Sequence, residues 1–142
     1  MVYVGVRLRR PRLWILALLA VVAGMLLVVA DAKTAGGYDT EPVRRTYLAS
    51  CGWQVGETVE TDTVRIPETF TPVYENYNAL QRKQGFDLSL FAGKTVTQYR
   101  YTVTNHPAGS PVYAHLLVLD GVLIGGDVMS PAVDGFMDPL KS

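Results

Sequence analysis

Three patterns of apolar and polar positions divide the chain. From Leu13 to Ala30, in LWILALLAVVAGMLLVVA, eighteen successive residues carry no charge. As a helix such a run spans roughly 27 Å, close to the ~30 Å hydrocarbon core of a bilayer. Between Thr40 and Gln84 apolar positions recur at helical spacing. Val43, Tyr47, Leu48 and Cys51 form one stripe, and Val73, Tyr77, Leu80 and Gln84 form another. Thr40 and Thr71 stand at cap positions, Pro42 and Pro72 in the first turns, and Gly52 and Gly85 at the stops. Short extended pieces are expected around Trp53–Val55 and Val64–Ile66, with Pro67 closing the second, and one helical turn in DLSLFAGKT. From Thr95 the period becomes two. Tyr99, Tyr101 and Val103 fall on one face of a strand, and Arg100, Thr102 and Thr104 on the other. Val112 to Leu119 and Val122 to Val128 flank Asp120-Gly121, a two-residue hairpin turn whose central residues need positive φ.

These patterns predict an α+β protein: an N-terminal transmembrane helix, then a small domain with two main helices packed on an antiparallel sheet ending in a β-hairpin. The expected divisions are a cytoplasmic basic segment (1–12), a transmembrane signal anchor (13–30), a linker (31–40) containing Ala35-Gly36-Gly37, and an extracytoplasmic domain (41–142).

Charge gives the membrane reading its direction. Lys+Arg and Asp+Glu number 13 each, but Arg7, Arg9, Arg10 and Arg12 all precede the apolar run. Only Asp31 and Lys33 follow it closely, so the positive-inside bias puts the N-terminus in the cytoplasm and the remainder outside. Trp14 suits the interfacial belt. A cleaved signal peptide with exit Ala30-Asp31-Ala32 is the alternative, although its apolar run usually spans about 7–15 residues. From Lys33 onward nine basic and twelve acidic residues leave a net charge of about −3, which gives no electrostatic basis for binding nucleic acid. Cys51, the single cysteine, cannot form an internal disulfide and is expected to be buried.

The chemical motifs are sparse. Gly125-Gly126-Asp127 continues as Val128-Met129, lacks a following Gly-Lys-Ser/Thr, and precedes no helix, so neither a nucleotide-cyclase signature nor a phosphate loop fits. An acid–base pair of His115 and Asp127 can be checked by counting along the hairpin. Leu119 faces Val122, Leu117 faces Ile124, His115 faces Gly126 and Ala114 faces Asp127. That count turns His115 and Asp127 to opposite faces and leaves Asp127 to brace SPAVDGFMD. A bulge after Gly125 would bring Asp127 onto the His115 face. Asp127, Asp134 and Asp138 lack the every-second-residue spacing of a calcium loop, and His106 and His115 lack partners at zinc-ligand spacing. Ser110, Ser130 and Cys51 lie in no nucleophile motif. No metal, cofactor or catalytic set is therefore expected. Tyr77, Tyr99 and Tyr101 read as core residues with hydroxyls reaching outward. Alternatively, Tyr74 and Tyr77 belong to an aromatic groove for a peptide or glycan, or a sheet edge accepts a partner strand.

Several segments together are similar to a known family. They are YLASCGWQV, the block IPETFTPVYENYNALQRKQGFDLSLFAGKTVTQYRYTVTN, and HLLVLDGVLIGGDVMS with DGFM. The chain resembles a family of bacterial proteins, mostly from Firmicutes, known only as domain of unknown function 4830, over about Val43 to Leu140. The resemblance implies a membrane anchor with one small extracytoplasmic domain, and it supplies no activity.

The expected function is a non-enzymatic, membrane-tethered extracytoplasmic binding or interaction domain of the cell envelope. Its partners would be the bilayer through residues 13–30 and an envelope protein, peptide or glycan. A secreted form after cleavage, and an envelope hydrolase using His115 and Asp127, are the alternatives. The candidate functional surface comprises His115, Asp127, Gly125, Gly126, Tyr74 and Tyr77.

Overall fold

The computed structural model describes residues 37–141. The apolar run 13–30 and the basic segment before it lie outside the described residues, as does the expectation of a transmembrane helix. Among the described residues no helix is long and apolar enough to cross a membrane. The elements run α1 (Glu41–Ser50), β1 (Val55–Arg65), α2 (Pro72–Lys83), a 3₁₀ turn (Leu88–Phe91), β2 (Thr95–Val103), β3 (Val112–Leu119), β4 (Val122–Met129) and β5 (Met137–Asp138). The five strands form one antiparallel meander in the order β1-β2-β3-β4-β5. The α+β expectation with two helices and an antiparallel sheet holds, with one correction. The sheet does not end in the hairpin, because β5 adds a short edge strand beyond β4.

Local signals explain both helices. The Thr71 hydroxyl accepts from the Tyr74 N–H at 3.3 Å, as an N-cap should. Thr40 does not cap α1 in this way; its hydroxyl instead donates to the Gly37 carbonyl at 2.9 Å. Gly52 (φ 91°) and Gly85 (φ 86°) end the helices. At each end two backbone N–H groups reach back to satisfy the last carbonyls: Trp53 to Leu48 and Gly52 to Ala49, then Phe86 to Gln81 and Gly85 to Arg82. Chain entry is also fixed, since the Tyr38 N–H bonds the Gly121 carbonyl at 2.9 Å.

The helices lie on opposite faces of the sheet. Leu48 of α1 joins Tyr101, Val103, Ala114, Leu116, Val118, Val128 and Leu140 in the larger core. The α2 side packs Tyr74 and Tyr77 against Ile66, Leu88, Val96, Leu117 and Ile124. Several buried positions differ from the expected stripes. Val73 is 80% exposed, while Asn78 and Gln81 are fully buried. Arg44 is buried as well, with Nε donating to the Tyr101 hydroxyl at 2.9 Å and its guanidinium 3.6 Å over the Tyr99 ring. Cys51 is half-buried rather than buried.

Polar side chains won these places by satisfying backbone groups. The outer side of β4 at Gly126 is sealed by α2: Gly126 N–H donates to Gln81 Oε1, and Gln84 Nε2 donates to the Gly126 carbonyl, both at 2.9 Å. Gln84 Oε1 also accepts from the Leu140 N–H at 2.9 Å. An open strand edge is thereby closed. The two short extended pieces expected before Pro67 are in fact one strand of eleven residues, β1. Its middle, ETDT, is exposed on both faces, so it carries no alternation of polarity to reveal a strand.

Candidate functional site

The hairpin turn forms as the sequence predicts, with Asp120 at φ 50° and Gly121 at φ 75°. Leu119 faces Val122 and Val118 faces Leu123, after which the register slips by one. Leu117 then faces Gly125, Leu116 faces Gly126, and His115 faces Asp127. Ile124 is the inserted residue, so the bulge lies just before Gly125 rather than after it. This overturns the straight count. Asp127 and His115 share a face, and their side chains meet, Nδ1 to Oδ1, at 2.9 Å.

Close approaches favour glycine at 125 and require it at 126. A Cβ on Gly125 would lie 3.0 Å from Gln81 Oε1 and 3.2 Å from Leu88 Cδ2. A Cβ on Gly126 would collide with Leu140 and with the His115 carbonyl. The bulge re-aims Asp127, and the missing side chains let α2 and the C-terminal segment close over β4.

Asp127 is 2% exposed and bonds with both oxygens. The Tyr77 hydroxyl donates to Oδ2 at 2.9 Å, and His115 occupies Oδ1. Burial, reinforced by the Asp127 carboxylate, pushes the Tyr77 phenol far above its ordinary range and keeps it a donor. Asp127 Oδ1 binds the Nδ1 side of the ring and leaves Nε2 for the recess that His115 lines. Asp127 therefore does not brace SPAVDGFMD, which folds on Ser130 instead: the Ser130 N–H bonds the Phe136 carbonyl at 3.0 Å, and the Ser130 hydroxyl accepts from Ala132 N–H at 3.4 Å.

His115 also belongs to a polar row across the sheet. Glu60 of β1 faces Arg100 of β2, which faces His115 of β3, which faces Asp127 of β4. Arg100 pairs with Glu60 and lies 4.7 Å over the Tyr113 ring. Beyond the part of this face that α2 covers, Glu60, Thr61, Asp62, Gln98, Arg100 and His115 line a recess of about 160 Å³. Tyr77 also lines a groove of about 470 Å³ with Val73, Tyr74, Asn76, Leu80 and Met137. The Tyr74 and Tyr77 rings meet edge to face at 5.6 Å.

The six sequence candidates thus converge: His115, Asp127 and Tyr77 form one hydrogen-bonded chain, Gly125 and Gly126 shape it, and Tyr74 lines the adjoining groove. Glu60, Asp62, Gln98 and Arg100 were missed. The alternation of β2 put Arg100 opposite Tyr99, but placing it beside His115 required the strand order. Among the described residues no group of three His, Cys, Asp or Glu side chains could hold a metal ion. The His115 side chain has no hydrogen-bond partner among them besides Asp127.

A small antiparallel meander with a helix on each face and a polar recess over an Asp-oriented histidine defines the class of domain. The chain belongs to the family described as Domain of unknown function (DUF4830), whose model matches residues 47–128, from α1 through nearly all of β4. Tyr77, His115, Asp127 and every residue lining the recess fall inside that match. No curated protein and no solved structure matches the chain.

Proposed function

We propose that this protein is a membrane-tethered, extracytoplasmic binding domain of the bacterial cell envelope, and that the recess over His115 is its ligand site. The observation that carries the binding reading is the buried Tyr77–Asp127–His115 chain, which orients one imidazole toward a polar recess. A fold that buries a carboxylate to aim a single ring invests in a recognition group rather than in packing. The tether rests on the eighteen-residue apolar run and the four arginines ahead of it. Tethering has a direct test. With a C-terminal tag on the full chain, external protease applied to intact cells removes the tag, and membrane-isolated protein retains the residues before Leu13. Mature protein beginning at Lys33 would replace the anchor with a cleaved signal, and a protected tag would reverse the topology.

The His115–Asp127 hydrogen bond also favours a second reading, an envelope hydrolase in which His115 serves as general base toward a bound water. Conversion of an envelope peptide or glycan that disappears in His115→Gln while its binding persists would replace the first reading with this one.

A further inference from the structure

We propose that the recess binds a primary ammonium group, the head of an alkylammonium ligand; this rests on the reading of the recess as a ligand site. Its charge points that way. The lining holds two carboxylates, Glu60 and Asp62, and a single permanent cation, Arg100, so it carries one negative charge in excess. Arg100 pairs with the Glu60 carboxylate and lies over the Tyr113 ring, so its charge is already countered within the recess. Unused acceptors remain. Asp62 Oδ1 takes the N–H of its neighbour Thr63 at 2.8 Å, and Oδ2 has no partner among the described residues. The Gln98 side chain has none either. His115 contributes Nε2, which has no partner among the described residues and is an acceptor when the ring is neutral.

A carboxylate oxygen, an amide oxygen and an imidazole lone pair around one small space call for a compact donor of several protons carrying positive charge. An ammonium head offers three donors and no acceptor. A volume of about 160 Å³ admits such a head and a short apolar stem, not a folded partner. A lysine side chain and an amino sugar both present this group.

The chain holds two histidines, so selective ¹⁵N-histidine labelling of the full protein gives one imidazole signal pair for His115 and one for His106. Titration with n-butylammonium is expected to shift the His115 signals saturably while n-butanol and n-butyrate do not. Asp62→Asn should weaken the ammonium titration about tenfold, the loss of one charge-assisted hydrogen bond, and Gln98→Leu should weaken it as well. Nα-acetyl-lysinamide and glucosamine, titrated separately, tell the two sources apart, and saturation by either supports the proposal. Equal shifts from butanol or butyrate, or an unchanged titration in Asp62→Asn, would overturn the ammonium assignment and leave the recess a ligand site. No response of His115 to any of the probes would overturn the ammonium assignment and count against the recess itself.

Discussion

A carboxyl group as deep as Asp127 is costly to bury unless its partners replace the water it has lost. Tyr77 and His115 do so, one on each oxygen. The inserted Ile124 turns Asp127 onto the His115 face, and next to it Gly126 admits Leu140. Gly126→Ala is therefore expected to destabilise the domain by about 1–3 kcal/mol through overpacking, read as a lower urea midpoint at unchanged slope. The residue scale is also where the sequence was least legible. His115, Asp127 and the two glycines stood out as a group, and the bulge was visible as the exception that would join them. Its position was not, because Val122, Leu123 and Ile124 are all apolar and give no sign of which one is inserted.

Among the elements, α2 does most to position the site. Its N-cap, C-terminal glycine and length were plain in the sequence, yet its inner face was not. Asn78 and Gln81 stood outside the expected stripe and Gln84 at its end, but each serves backbone groups of another segment. Asn78 Oδ1 accepts from the Leu88 N–H at 2.7 Å, and its Nδ2 donates to Asp87 at 3.0 Å, tying α2 to the 3₁₀ turn. The Ser89 hydroxyl, then Asn78, hold the Asp87 carboxyl down at about 2, against an ordinary value of 3.8. A carboxyl depressed in the folded state adds stability above its ordinary value and loses it as pH falls. Between pH 3.8 and about 2 the urea midpoint should thus fall further in the wild type than in Asp87→Asn. Parallel curves across that window would remove Asp87 from the account. β1 shows the opposite failure: an edge strand with both faces wet has no hydrophobic period to read.

At the scale of the molecule, β3 belongs to both cores. Leu116 points to the α1 side and Leu117 to the α2 side, so the two clusters share one strand. Leu48→Ala and Leu88→Ala, each truncating a fully buried side chain, should cost about 2–5 kcal/mol. Tryptophan fluorescence and far-ultraviolet dichroism should report coincident transitions in both variants; separated transitions would mean that the faces unfold independently. The α+β class and the order of elements followed from periodicity and turn chemistry, because each helix and the hairpin carries its own local signals. The polar row from Glu60 to Asp127 did not, since it exists only after four strands are in register.

If Asp127 orients His115 toward the recess, the tautomer of that imidazole must show it. Long-range ¹H–¹⁵N spectra of the ¹⁵N-histidine-labelled full chain, recorded where the ring is neutral, should show His115 protonated at Nδ1 and bare at Nε2. Asp127→Asn should shift the population toward Nε2–H. A wild-type His115 protonated at Nε2, unchanged by Asp127→Asn, would mean that Asp127 does not set the ring.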